Sequence, residues 1–288
     1  MPSTRQELLA LGAGLCTVLL WASSFTGIRA VKGDLGAGPL ALGRLLVGTV
    51  ALGLLLLVRR QGLPPRRALV GIAAVGAVWF TAYNLALNEG ERRVDAGTAA
   101  MLVNTGPIMI AVLAGLLLGE GFPRMLLAGC ALGLAGAALI GVAVSDGIVL
   151  GLGAALCLVA AVLYAVAVTI QKPLLARASA LQVTWGACAV GTLGLAPFLP
   201  SLVDEARVAA PSSLLWVAYM GVFPTAIGFV TWGYALERTS AGRTAALTYL
   251  VPPIATLIAW LWLDEAPPPL ALAGGALALV GVGVARRA

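Results

Sequence analysis

The chain has 288 residues, of which 60% are apolar and only 10% charged. A soluble domain carries about 25% charged residues, so a water-facing surface could not be covered, and the composition is that of an integral membrane protein. The net charge of +6 would suit a nucleic-acid binder, but the basic residues fall in loops between apolar runs, where membrane orientation explains them; no nucleic-acid partner is expected. No cleavable signal peptide is expected, because the first apolar run continues past Leu20 at full spanning length. Cys16, Cys130, Cys157 and Cys188 lie inside apolar runs without metal-ligand spacing and read as small buried packing residues. There is no histidine, which removes the commonest metal ligand and the usual neutral-pH acid–base group. No metal or other cofactor is expected, and no Gly-x-x-x-x-Gly-Lys-Ser/Thr run of an ATPase occurs.

Ten helical spans are read in chain order, at roughly 7–30, 39–58, 68–88, 96–118, 124–144, 150–171, 180–199, 213–236, 242–263 and 269–285. With the N-terminus in the cytoplasm, 12 basic residues fall on the inner side and five on the outer, with Arg44 inside a span. Acidic residues reverse the bias, nine outside against three inside (Glu7, Glu120 and Glu237). The basic excess places both termini in the cytoplasm and the chain as a multi-pass protein of the cell inner membrane.

The stretch Ala96–Glu120 is repeated 145 positions later as Ala241–Glu265, and nine of the 25 pairs are identical. The informative matches are Gly97 with Gly242, Pro107 with Pro252 and Glu120 with Glu265; the register continues through Pro123 and Pro268, Gly129 and Gly274, and Gly136 and Gly281. The chain is built twice, with residues 1–145 as the first five-helix repeat and 146–288 as the second. An odd number of spans per half makes the second copy enter the membrane from the opposite side. That is the inverted-topology repeat of many secondary transporters, with a central site between the halves. Weaker echoes fall in the right order: Trp21-Ala-Ser-Ser-Phe with Tyr164-Ala-Val-Ala-Val, and Asn84-Leu-Ala-Leu-Asn with Gly233-Tyr-Ala-Leu-Glu.

These residues resemble a known family. Trp21-Ala-Ser-Ser-Phe in span 1, an Arg early in span 2, and a Pro followed 13 residues later by a Gly-Glu or Asp-Glu pair look like the EamA-type drug/metabolite transporter superfamily. The resemblance covers nearly the whole chain. Its length and span aromatics look most like the amino-acid exporters of the YddG kind. The resemblance implies an all-α fold of ten helices, a central cavity formed mainly by the first four helices of each half, and peripheral fifth and tenth helices.

Candidate site residues follow from position and polarity. Pro107 lies mid-span and removes the hydrogen bond to the Val103 carbonyl; Pro252 and Pro253 do the same to Thr248 and Tyr249. These prolines read either as passive kinks or as hinges whose freed carbonyls line a cavity, and their symmetric placement favours the second. Trp79 and Tyr83, at i and i+4, share a helix face, and Asn84 adjoins them. Asn104 and Thr105 precede Pro107, Tyr249 takes the place of Asn104 in the second half, Trp21 and Tyr164 are equivalent, and Ser24 lies one turn from Trp21. Trp21, Ser24, Trp79, Tyr83, Asn84, Asn104, Tyr164 and Tyr249 form the expected substrate-binding set. For Ser24 and Thr105, helix-to-helix glue is an equal reading. Such a wall suits amphipathic organic solutes rather than bare ions. Trp232 and Tyr234 read as an interfacial belt, and Trp185 is ambiguous. Arg44, roughly 8 Å inside the outer end of its span, reads either as a snorkelling interface residue or as a cavity cation for a substrate carboxylate. Gly129-x-x-x-Gly133, Gly274, Gly275 and Gly281 read as close-packing positions, with dimerisation as the alternative to a monomer. Glu120 and Glu265 read as caps of the helices that follow them.

The reading is a non-enzymatic secondary transporter in the lipid bilayer. It would export small organic solutes, amino acids and related metabolites first, by alternating access. A nucleotide-sugar or phosphate-ester carrier needs several cavity cations, and only Arg44 is available. A membrane-embedded enzyme needs a nucleophile with a base, or metal ligands at membrane depth, and neither is seen.

Overall fold

The computed structural model describes residues 4–91, 93–94, 96–144, 151–263 and 268–287, and they contain helices and no strand. The first half holds α1 (Thr4–Val31), α2 (Ala37–Val58) and α3 (Arg66–Val75), then a π-helical stretch, Gly76–Tyr83, that runs into α4 (Asn84–Glu91). α5 (Ala96–Val103), α6 (Gly106–Leu117) and α7 (Arg124–Val144) complete it. The second half opens with α8 (Leu152–Leu174), α9 (Ala180–Gly194), α10 (Leu199–Val208) and α11 (Pro211–Met220). A second π-helical stretch, Gly221–Ile227, leads into α12 (Gly228–Arg238). After α13 (Ala241–Ala246) and a 3-10 turn, Leu247–Leu250, come α14 (Val251–Leu263) and α15 (Pro269–Ala285).

Among the described residues, six helices are long and apolar enough to cross a bilayer, or seven if α9 and α10, bent by 54°, count as one span. The ten-span reading exceeds this for identifiable reasons. Span 4 is described as an apolar helix of 17 residues, Met101–Leu117, span 10 likewise has 17, Pro269–Ala285, and span 9 carries the 3-10 turn Leu247–Leu250.

Contacts divide the chain into two units that are not the two sequence halves. The first comprises Met1–Leu85 with Ile170–Arg238, and the second Ala86–Thr169 with Thr239–Ala288. In the first unit α1 packs on α12, and α2 on α9 and on the Gly221–Ile227 stretch. One end of this unit is tied by carboxylates. Asp34 Oδ2 accepts from the Ala210 N–H (3.1 Å) and the Ser213 hydroxyl (2.6 Å), capping α11, while Glu205 Oε2 accepts from the Gly36 N–H (2.8 Å) at the start of α2. At the other end Ser179 and Gln182 form a capping box on α9, and the Gln182 amide donates to the Gly62 carbonyl at 2.8 Å.

The Ser213 hydroxyl and the Ala210 N–H hold the Asp34 carboxyl below the usual carboxylate range. Its contribution to stability is therefore complete above about pH 4 and is lost as the pH falls through the lowered folded-state value. Asp34→Ala is expected to lower the melting temperature of the purified protein by about 2–4 °C at pH 7. The difference from wild type should shrink in melts at pH 3. A constant difference at both pH values would show that the carboxylate charge plays no part.

The two π-helical stretches begin at Gly76 and Gly221, which are 145 positions apart like the sequence repeat. Each glycine is held against a neighbouring helix. A Cβ on Gly76 would meet the Ala187 carbonyl at 2.7 Å, and one on Gly221 the Arg44 carbonyl at 2.9 Å. Pro224 lies inside the second stretch; its missing N–H favours a local wide turn.

In the second unit α7 and α15 cross through small residues. Gly281 faces Gly129 and Gly133, Gly274 and Ala278 face Gly136, and Gly129 faces Ala285. Positions rising along α7 meet positions falling along α15, so the pair runs antiparallel. These faces are taken up by packing inside the unit.

Pro107, Pro252 and Pro253 lie where the regular α-helix gives way and resumes. Pro107 sits in the first turn of α6, and Pro252 and Pro253 in the first turn of α14. Proline is favoured in a first helical turn. The Thr105 hydroxyl returns to the Leu102 carbonyl (2.7 Å) and the Thr248 hydroxyl to the Ala245 carbonyl (2.8 Å), so both interruptions are bonded alike.

Candidate functional site

Of the twelve residues singled out in the sequence, Trp21, Ser24, Arg44, Trp79, Tyr83 and Asn84 lie in the first unit. Asn104, Pro107, Tyr164, Tyr249, Pro252 and Pro253 lie in the second.

In the first unit Trp21 and Trp79 come together, with ring centroids 6.3 Å apart, but they do so inside a larger aromatic cluster. Phe229 lies 5.1 Å from Trp21 and 5.0 Å from Trp79; Trp232 lies 5.2 Å from Trp21; Phe80 lies 4.6 Å from Phe229. Trp79 is 2% exposed and Trp232 1%. Trp232 is thus not an interfacial belt residue. Its indole N–H donates to the buried Gln171 Oε1 at 3.1 Å. Arg238 stacks over the Tyr234 ring at 3.6 Å, and Trp185 is half-buried beside Gly53 of α2.

Two of the expected substrate donors serve the π-helical stretches. The Trp21 indole N–H donates to the Pro224 carbonyl at 3.2 Å. The Asn84 amide donates to the Trp79 and Phe80 carbonyls at 3.2 and 3.0 Å. A widened turn leaves carbonyls that the helix does not satisfy, and these side chains reach them. The Ser24 hydroxyl donates to the Trp21 carbonyl of its own helix, and Tyr83 is half-buried.

Arg44 is turned inward. Its Nη2 lies 3.4 Å from the Thr225 hydroxyl, and Thr225 is 1% exposed within the second π-helical stretch. Nearby, the Thr49 hydroxyl bonds the Thr192 hydroxyl (2.9 Å) and Cys188 (3.2 Å), which gives α2 and α9 a neutral polar seam. An Arg at membrane depth costs about 2.5–3.5 kcal/mol on insertion scales, and an inward-facing one marks a functional site by default.

In the second unit Asn104 and Thr105 form the turn between α5 and α6, half-buried. Tyr164 packs its ring on Gly106, where a Cβ would approach it to 2.7 Å, and is 6% exposed. Tyr249 is fully buried, its ring flat against Gly133 of α7. Trp79 and Tyr249 are thus each buried in the packing of their own unit. Glu120 does not cap the helix that follows it. Its Oε1 accepts from the Ala241 N–H (2.8 Å) and its Oε2 from the Gly242 N–H (3.4 Å), at the start of α13. Glu265, its counterpart in the repeat, lies outside the described residues. Among the described residues no group of His, Cys, Asp or Glu side chains could hold a metal ion.

The sequence pattern of the EamA-like transporter family matches the chain twice, over residues 8–142 and 151–287. The chain belongs to the EamA-like transporter family. A protein of Streptantibioticus cattleyicolor named a probable terminal-alkyne amino-acid exporter is 42% identical over 95% of this chain and 92% of its own. A probable amino-acid metabolite efflux pump of Escherichia coli is 26% identical over 93% of this chain and 91% of its own. A crystal structure with 22% identity superposes with a TM-score of 0.81 over 96% of this chain and 98% of the other, which establishes the shared fold. This EamA-like transporter is a multi-pass membrane protein that moves a small molecule, and it is not an enzyme.

Sequence reasoning missed Gln171, Phe229 and Thr225. Gln171, 1% exposed in an apolar helix, carried a usable signal, since an amide at membrane depth demands a partner. Phe229 and Thr225 carried none, being common residues in spans.

Proposed function

We propose that this transporter exports amino acids, aromatic or other neutral ones first, and related metabolites across the inner membrane. It does so by alternating access at a midplane site between two inverted five-span repeats, with both termini in the cytoplasm. The observation that carries the reading is the 42% identity, over nearly the full chain, to a protein named as an amino-acid exporter. The π-rich wall suits such solutes, and Arg44 supplies a cation for the carboxylate. Inversion is supported by two contacts in the second unit. The antiparallel α7 and α15 are repeat equivalents, and Glu120, at the end of the first copy, meets Ala241, at the start of the second. Sidedness is supported by the first unit, where residues 34–36 meet 205–213 and residues 61–62 meet 179–182. That pairs the loops as the charge count does.

Purified protein in liposomes, assayed with a panel of radiolabelled neutral amino acids, tests the reading. Saturable uptake of at least one of them is the expected result, and uptake of sugar nucleotides alone would overturn it. The same vesicles report the driving force. No histidine exists, and Glu120 is engaged at a span end. With substrate equal on both sides, an imposed pH gradient should drive no net accumulation. Uphill accumulation abolished by a protonophore would reveal a proton-carrying carboxylate.

A further inference from the structure

Helix α13 has six residues, Ala241–Ala246. The first four N–H groups of any helix lack an acceptor within it, so in so short a helix most donors must be answered from outside. Each can be traced. The Arg243 N–H goes to Ser240 Oγ (3.3 Å) and the Thr244 N–H to the Ser240 carbonyl (3.0 Å). The Ala241 and Gly242 N–H groups go to the two oxygens of Glu120, 121 and 122 positions away. Both residues are buried, so water does not replace the carboxylate.

The turn that presents Glu120 is built for it. Gly119 and Gly121, on either side, have φ of +69° and +70°. A Cβ at either would meet nothing within 4 Å. Glycine is required there by the left-handed backbone and not by space. The Glu120 N–H closes back on the Ala114 carbonyl at 3.3 Å, fixing the side chain's origin to the end of α6. From α13 the chain passes directly into Leu247–Leu250, which carries Tyr249, and then into α14 with Pro252 and Pro253.

We propose that Glu120 is a positioning residue for transport: it anchors the start of the interrupted α13–α14 segment to the end of α6, and so sets the placement of Tyr249 and the α14 prolines. The inference rests on the export reading only for its transport arm. Two oxygens are needed for two donors. Glu120→Gln keeps length and one acceptor oxygen, and Glu120→Ala removes both.

The test has two arms on purified full-length protein. In amide hydrogen exchange, Glu120→Ala should speed exchange of residues 241–250 about tenfold, with residues 180–194 unchanged. Glu120→Gln should fall between Ala and wild type. In liposomes with the neutral amino-acid panel, Glu120→Ala should lower the maximal rate about tenfold with KM little changed. Glu120→Gln should restore much of that rate. Wild-type rates in a folded Glu120→Ala protein, or exchange that rises equally in both segments, would overturn the proposal. If Glu120→Ala does not fold, Glu120→Gln decides, and a wild-type exchange pattern there overturns it. Should wild type move none of the panel, the export reading fails, and the exchange arm alone judges Glu120.

Discussion

Gly281→Ala is expected to remove most folded protein from the membrane and to lower the melting temperature of the remainder by roughly 5–10 °C. The added methyl would lie 2.4 Å from the Gly133 nitrogen, 2.7 Å from the Gly129 oxygen and 2.9 Å from the Gly133 Cα. All three atoms belong to the backbone, so no rotamer change makes room and the α7 and α15 axes must part. Parting them loosens the whole antiparallel seam, where Gly136 and Gly274 are held as closely. In lipid, separated helix faces gain no penalty from water, so close packing and its weak hydrogen bonds are what hold the pair. Gly283, on the same helix with nothing within 4 Å, is the control. Gly283→Ala should express and melt as wild type in size-exclusion and thermal assays. Equal behaviour of the two variants would show that the crossing tolerates separation.

The membrane character and the duplication were legible because lipid imposes a compositional code. Long apolar runs, loop charge and recurring Gly, Pro and Glu are properties of the linear chain. The interruptions were legible only as places. Pro107 marks the place, but the form of the break, with the α pattern lapsing at Asn104–Thr105 and the Thr105 hydroxyl bonded back to Leu102, is not written in the linear chain. The π-helical stretches left no readable signal beyond Gly76, Gly221 and Pro224, since apolar residues all round erase the periodicity that would reveal a wide turn.

The surroundings of the candidate residues were only partly legible. Trp21 and Trp79, set in one group by the sequence, do lie close together, but the rings that complete their cluster, Phe229 and Trp232, come from over 140 positions away. Trp232 was placed at the interface by counting residues to the span end. Its burial follows from α1 packing on α12, which linear distance does not encode. Asn84 was read as a donor to solute because an amide in lipid needs a partner. The partners are the carbonyls of Trp79 and Phe80, four and five residues back on its own helix. Glu120 failed for the same reason in reverse: its partner is 121 residues distant.

Arg44→Met is expected to lower the efficiency of amino-acid transport, kcat/KM, by about 100-fold while leaving the protein folded. Met keeps the length and apolar stem and removes the fork of donors and the charge. Removing one member of a buried, hydrogen-bonded charge pair costs about 2–5 kcal/mol, and each 1.4 kcal/mol is about tenfold. The Thr225 hydroxyl at 3.4 Å holds the Arg44 guanidinium against the second π-helical stretch, with the Thr49–Thr192–Cys188 contacts further along α2. Lys restores charge without the planar fork, so Arg44→Lys should recover only part of the rate. The chemical control is the substrate itself. Wild type should prefer a neutral amino acid to its carboxamide, which has the same side chain without the negative group. Arg44→Met should lose that preference, because what remains is the aromatic wall, which cannot distinguish the two. If the variant keeps both its rate and its preference for the free acid, Arg44 does not meet the carboxylate, and its inward turn toward Thr225 serves packing alone.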